Sequence, residues 1–360
     1  MGRRVFVAVL AAMVVLAPTA AVAEDGPFIP TTDFLPPIAP DGPGVDRAEE
    51  CGDDGLVCVR YVEQELAKWE SHFGCDHRAV FPTVYRLLTR ETRLVLEDDP
   101  SFFDDPAGLG YEALKFYELY LEMITAHLAG EEIPPAWQTA MDVANEGDHT
   151  AGHDMLLAIN AHVQRDMPFA VSAAGLNIPD GSSRKADHDR FNQVLNMSYD
   201  TIVAEIGRRY DPFMATVDEV GGLADNVGAQ QLVALWREGV WRNAEQVTTT
   251  ADSPLFDVTV AMIETQADTT AQLMTVGELP GRRALRDAHC AAALAADAAQ
   301  ADTEGEPAPE PTTAPAPAPE DEAGEAEAAP AGDSLPATGA GAGLASLALL
   351  GAARLLRRGA

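Results

Sequence analysis

An all-α fold is predicted for the central part of this 360-residue chain by three observations. Apolar residues recur at spacings of three and four from Leu56 to about Gln300, and no run alternates convincingly at period two. The stretch holds roughly 245 residues, enough for one well-buried core. Together these specify a single bundle-like domain over 51–300 with eight to ten helices.

The elements follow in order. Val59, Val62, Leu66, Trp69 and Phe73 mark the first helix, and Val84, Leu87, Leu88 and Val95 the second. Leu114, Tyr117, Leu121, Ile124 and Leu128 mark the third, and Pro134-Pro135 opens a fourth, proline being preorganised for a first helical turn. Further helices are expected at 150–165, 184–208, 225–248, 255–275 and 281–299. The aromatic residues Tyr111, Phe116, Tyr117 and Tyr120 cover one ordinary helix face, as core packing requires.

Four cysteines punctuate this domain: Cys51, Cys58, Cys75 and Cys290. In an exported chain they are expected as disulfides, and three pairings are open. Cys51 and Cys58 enclose Gly52-Asp53-Asp54-Gly55, a turn-rich loop that can fold back on itself, which favours Cys51 with Cys58 and Cys75 with Cys290. The second bond would join the end of an early helix to the last helix, contributing roughly 4 to 5 kcal/mol in the chain-entropy account. A zinc site on these residues lacks the paired Cys spacing it needs.

Both ends of the chain read as addresses. Residues 1–23 combine Arg3 and Arg4, an apolar run from Val5 to Leu16 and the cleavage motif Ala21-Val22-Ala23, the three parts of a secretory signal peptide. Residues 24–50 form a proline- and glycine-rich arm. Residues 301–334 hold ten acids, no basic residue and repeated Ala-Pro pairs, a composition that cannot bury a core and stays extended. At about 3.1 Å per residue this stalk reaches on the order of 100 Å. Residues 335–360 begin with Leu335-Pro336-Ala337-Thr338-Gly339, continue through a small and apolar run, and end with Arg354, Arg357 and Arg358. That order resembles the Gram-positive cell-wall sorting signal. The resemblance implies sortase cleavage between Thr338 and Gly339, transfer of Thr338 to peptidoglycan, and only transient contact with the membrane.

Processing at both ends would leave 19 basic and 57 acidic residues, a formal charge of −38, because the removed segments carry five arginines and no acid. Nucleic acid and anionic lipid headgroups are poor partners for such a surface. Divalent cations and cationic partners suit it, and so does simple colloidal solubility.

Reactive side chains concentrate between Asp148 and Asn192. His149 and His153 are four apart, as are His162 and Asp166, which continue the apolar stripe of Met155 and Ile159. Asp187, His188 and Asp189 stand near the start of the next long helix, with Asn192 following. If the two helices are antiparallel neighbours, His149, His153, His162, Asp166, Asp187 and Asp189 form a candidate ligand set for a divalent ion, zinc most naturally. That ion would activate water against an ester or phosphoester, with His162 and Asp166 as the candidate catalytic residues. The same His162 and Asp166 also serve, without any chemistry, as a hydrogen-bonded lock between helices. The zinc-dependent phospholipase C and P1 nuclease group resembles this chain in its His-x-x-x-Asp pair, although Pro168 and the lack of a His-x-x-x-Glu unit depart from that pattern. Ser182-Ser183-Arg184-Lys185 matches S-x-x-K without its companion motifs, and the chain has no G-x-S-x-G, H-E-x-x-H, P-loop or dinucleotide fingerprint.

Over roughly Leu56 to Gln300 the chain resembles a family of actinobacterial and fungal proteins known only as a domain of unknown function. The likeness rests on Asn160-Ala161-His162 with Asp166, followed by Asp189-Arg190-Phe191-Asn192. It implies a helical fold and makes Asn160, His162, Asp166, Asp189 and Asn192 a candidate polar site without assigned roles. The expectation is a wall-anchored surface protein that binds or supports, with metal-dependent hydrolysis as the alternative.

Overall fold

Helices form where the three-and-four spacing places them. The computed structural model describes residues 42–276 and 281–304, and the side chains of all of these except 215–231 and 301–304. The helices are α1 (Ala48–Cys51), α2 (Leu56–Phe73), α3 (Val80–Asp98), α4 (Pro106–Ala129), α5 (Pro135–Glu146), α6 (Ala151–Asn160), α7 (Met167–Ala174), α8 (Lys185–Arg209), α9 (Met214–Thr250), α10 (Phe256–Met274) and α11 (Arg283–Glu304). A 3₁₀ turn, His77–Ala79, precedes α3. Among the described residues no strand occurs, and one antiparallel bridge joins Asn177 to Ser183 before α8. The fold is therefore all-α, with ten helices of eight residues or more among the described residues.

One apolar core runs through the bundle. Leu66 and Trp69 of α2, Phe81 and Val84 of α3, Tyr117, Tyr120 and Ile124 of α4, Trp137 of α5, Leu157 of α6, Ile206 of α8, Trp241 of α9 and Ile263 of α10 all belong to it. Helix ends are fixed by local chemistry. Asp105 caps α4 by accepting from the Gly108 N–H, with Pro106 in the first turn, and Thr150 caps α6 through the His153 N–H. The starts of α2 and α4 meet backbone to backbone: a Cβ added at Gly110 would lie 2.5 Å from the Gly55 carbonyl oxygen, so only glycine fits there.

Two boundaries differ from the sequence expectation. A helix ending at 165 was expected because a proline disfavours helix before it. The rod instead continues to Ala174 through a π turn, Ala161–Asp166, in which the Met167 N–H bonds the His162 carbonyl. Pro168 lacks the N–H that would bond the carbonyl of Gln164, and the wider turn absorbs that defect without breaking the rod. Helix α9 begins at Met214, ahead of the expected 225.

Two disulfides close the domain, Cys51–Cys58 and Cys75–Cys290. The second fastens α11 to the loop after α2. Polar contacts hold α11 as well: Arg286 pairs with Asp154 at 2.8 Å and donates to the His149 carbonyl at 2.8 Å, and His77 meets Asp287 at 2.9 Å. The end of the N-terminal arm docks too, with Arg47 donating to the Ala173 carbonyl at 2.6 Å and lying over the Tyr111 ring. Ala301–Glu304, assigned to the stalk from composition, continue α11. The signal peptide, the arm up to residue 41, the remaining stalk and the sorting signal lie outside the described residues. Among the described residues no helix is long and apolar enough to cross a membrane.

Candidate functional site

The π turn gathers the polar residues that the sequence singles out. In a turn bonded i to i+5, side chains four apart stand almost directly above one another, and His162 Nδ1 lies 3.0 Å from Asp166 Oδ2. Asp166 also accepts from Trp137 Nε1 at 2.8 Å and from Arg165 Nη1 at 2.8 Å. Arg165 reaches on to Glu264 of α10 at 3.2 Å. Asn160 donates to the Ala267 carbonyl at 2.9 Å, and its own oxygen accepts from Gln164. Asn160 and Arg165 thus strap the π turn to α10, while Asp166 ties it to α5.

Burial decides the charge states here. Asp166 is buried, which alone would raise its pKa, but the Arg165 guanidinium and the His162 hydrogen bond outweigh burial and hold it below the usual carboxylate range. Burial lowers the His162 pKa despite Asp166. The pair is therefore a neutral imidazole on an ionised carboxylate. Nδ1–H donates to Asp166, and the Nε2 lone pair has no partner in the protein. Phe116 stacks on this ring with centroids 3.4 Å apart.

His162 stands on the wall of an interior cavity of about 500 Å³. Most of the lining is apolar, including Val84, Leu88, Leu109, Ile159, Val163 and Leu195. Leu156, Phe213 and Leu232 also line it and are 37, 39 and 41 % exposed, which places the mouth among them. A few polar groups interrupt the wall, notably Glu112 and Arg237, with Asn192, whose Oδ1 has no partner. The size and the sparse polar groups are those of small-molecule sites, which span about 300–1,000 Å³.

The residues predicted as metal ligands do not come together. Asp187 accepts the backbone N–H groups of Asp104 and Asp105, both at 2.8 Å, and pairs with Arg190. Asp189 pairs with Lys185 at 2.6 Å. His149 precedes α6, so it shares no helix face with His153, although their rings stack 5.0 Å apart. Of His162, Asp166 and Asp189, His162 alone lines the cavity. Among the described residues no three His, Cys, Asp or Glu side chains are placed to hold a metal ion. The expectation failed on topology: the start of α8 is held against the loop before α4 by Asp187, away from the π turn.

Sequence reasoning missed Glu112 and Arg237. The signal was present in the spacing, since Glu112 stands between Leu109 and Phe116 on one face of α4, and Arg237 shares its face of α9 with Val233, Val240 and Trp241. A charge in an apolar stripe is costly unless it meets a partner, which makes it worth locating. Burial raises the Glu112 pKa, only partly offset by Arg184 and Arg237. It lowers that of Arg237 to about 10, still a cation at neutral pH.

Two buried imidazoles make stability sensitive to acid. The His188 pKa is lowered well below the ordinary value by burial and then by Arg237, and its Nε2 bonds the Arg237 carbonyl at 2.9 Å. At pH 6, where an imidazole with the ordinary pKa of about 6.5 is mostly protonated, the His162 and His188 rings should remain neutral. Because the unfolded chain then binds more protons, the stability these rings contribute is complete above about pH 6.5. It is lost as the pH falls toward their folded values, by up to about 1.4 kcal/mol per pH unit for each ring. Ring-carbon NMR titration checks this, and protonation of both rings at the ordinary pH would refute it.

A model of a family of unknown function, DUF5995, matches residues 59–277, more than half of the chain. Every residue lining the cavity lies within the match, whereas α11, Cys51, Cys58 and Cys290 lie outside it. No curated protein and no solved structure matches the chain.

Proposed function

The chain belongs to the DUF5995 family of unknown function, and from that premise and the cavity we propose that it is an exported, sortase-anchored protein whose helical head holds a small apolar ligand. The observation that carries this reading is the cavity of about 500 Å³ bounded by α3, α4, α6, α8 and α9, with large apolar side chains exposed at its mouth. An empty apolar void of this size forfeits the contacts that its lining would otherwise make, so an occupant stabilises the fold as well as itself. The sorting-signal resemblance at Leu335 to Gly339 and the acidic stalk support a location outside the cell, with the head held off the membrane.

Zinc-dependent hydrolysis through His162 and Asp166 is the rival reading. It requires a further ligand, and the Arg165 guanidinium on Asp166 opposes a dication at that carboxylate. One experiment addresses both. Protein released from walls by a muramidase should carry a peptidoglycan fragment on Thr338, and its native mass spectrum should show an organic adduct that denaturation removes. A spectrum with stoichiometric zinc and no organic adduct would reverse the choice, and an intact residue 339–360 tail would refute the anchoring.

A further inference from the structure

The cavity has a charged end, and the charge is unanswered. Arg237 is 3 % exposed, and its guanidinium lies over the Phe191 ring, 5.0 Å from the centroid, with Nη1 3.5 Å from Met167 Sδ. Phe191 and Met167 both line the cavity, so the guanidinium sits in its wall. A guanidinium carries five N–H donors. Here Nη2 donates to the His188 carbonyl, Nη1 meets only a thioether, and Nε has no partner. Arg237 makes no ion pair among the described residues. Of the acids that act on it, Asp189 is already paired with Lys185 at 2.6 Å. The other is Glu112, on the same cavity, which forms neither a hydrogen bond nor an ion pair among the described residues. Its carboxyl is pushed toward the neutral form by burial, which leaves it able to donate a hydrogen bond instead of neutralising the arginine.

A buried cation without a carboxylate is costly, and a planar guanidinium is suited to bind a carboxylate or phosphate through two parallel hydrogen bonds. Resting on the reading of the cavity as a ligand site, we infer that the ligand is a single-chain amphiphile with an oxyanion head, the head set against Arg237 and Glu112 and the chain along the apolar wall. His162 Nε2 and Asn192 Oδ1 are acceptors, which suit a hydroxyl on the ligand and not its anionic end. The strongly acidic exterior does not oppose this, because the head is bound inside, away from the surface charge.

The test uses the mature protein, stripped of bound lipid on a hydrophobic resin and loaded with the neutral fluorophore N-phenyl-1-naphthylamine. Dodecanoate, dodecyl phosphate or both should displace the probe at concentrations at least tenfold lower than dodecanol, and the stronger of the two anions identifies the head as carboxylate or phosphate. In Arg237→Gln that preference should fall to near one while the fluorophore still binds. Equal displacement by all three compounds in the wild type would overturn the head-group site and leave the apolar cavity standing. Absence of fluorophore uptake would overturn the cavity reading itself, and the head-group site with it. A preference that persists in folded Arg237→Gln would overturn the assignment to Arg237. Should that variant not fold, carboxyl-labelled dodecanoate on the wild-type protein decides: facing a guanidinium, the bound carboxylate stays ionised below its ordinary pKa, whereas titration at or above that value refutes the contact.

Discussion

Removal of the Cys75–Cys290 disulfide is expected to cost about 4–5 kcal/mol, the largest loss for any pair of conservative substitutions in this chain. The bond joins residues 215 apart in sequence, with Cα atoms 5.7 Å apart. In the unfolded chain it forbids most of the conformations a loop of that length would otherwise sample, and this restriction disappears in Cys75→Ser/Cys290→Ser. The folded state changes little, because α11 keeps Arg286 on Asp154, His77 on Asp287, and His289 Nε2 on the Gly207 carbonyl at 3.0 Å. For a domain of this size the melting temperature should fall by roughly 10–15 °C. The Cys51–Cys58 bond spans only seven residues, and its loss should cost about 2 kcal/mol by the same reasoning. Denaturant unfolding of the two double variants checks the order; equal losses would show that loop entropy is not what the long bond contributes.

Helices were legible because their signal is local. The spacing of Val59, Val62, Leu66 and Trp69 places four side chains on one face of α2 whatever else the chain does, and all four are buried. The turn-rich loop between Cys51 and Cys58 made one disulfide legible and left a single partner for Cys75. The site was legible only as far as one turn of helix. His162 and Asp166 are four apart and do meet, but whether Asp187 and Asp189 would join them depended on how α8 packs, which no periodicity records. Packing sent Asp187 to the backbone of Asp104 and Asp105 instead. Pro168 was taken as a helix end because the rule for proline is local, whereas the π turn that accommodates it is held by Asn160 and Arg165 reaching α10, more than 90 residues away. The cavity has no sequence signature, since its lining is drawn from five helices. Only the two charges in apolar stripes, Glu112 and Arg237, pointed to it.

Asp166→Ala should destabilise the domain by about 3–5 kcal/mol, approaching the whole stability of many domains. Asp166 is 1 % exposed, and three donors converge on its two oxygens: His162, Trp137 and Arg165. Truncation leaves the buried Arg165 cation with only Glu264, at 3.2 Å, and leaves the Trp137 indole N–H without an acceptor. Asp166→Asn keeps an acceptor oxygen for one donor but removes the charge that balances Arg165, so it should lie between wild type and alanine. If charge compensation outweighs the lost hydrogen bonds, adding Arg165→Met to Asp166→Asn should recover part of the loss, because neither side of the ion pair is then stranded. The double-mutant cycle measures this directly. If the two losses simply add, the ion pair is not what holds the π turn. His162 supplies an independent readout. Without the carboxylate on Nδ1, the ring loses both the bond that fixes its tautomer and the main influence opposing burial, so its pKa should fall further in folded Asp166→Asn. A rise would mean that the ring has turned toward solvent, and that Asp166, more than the stacked Phe116, determines where His162 meets the cavity.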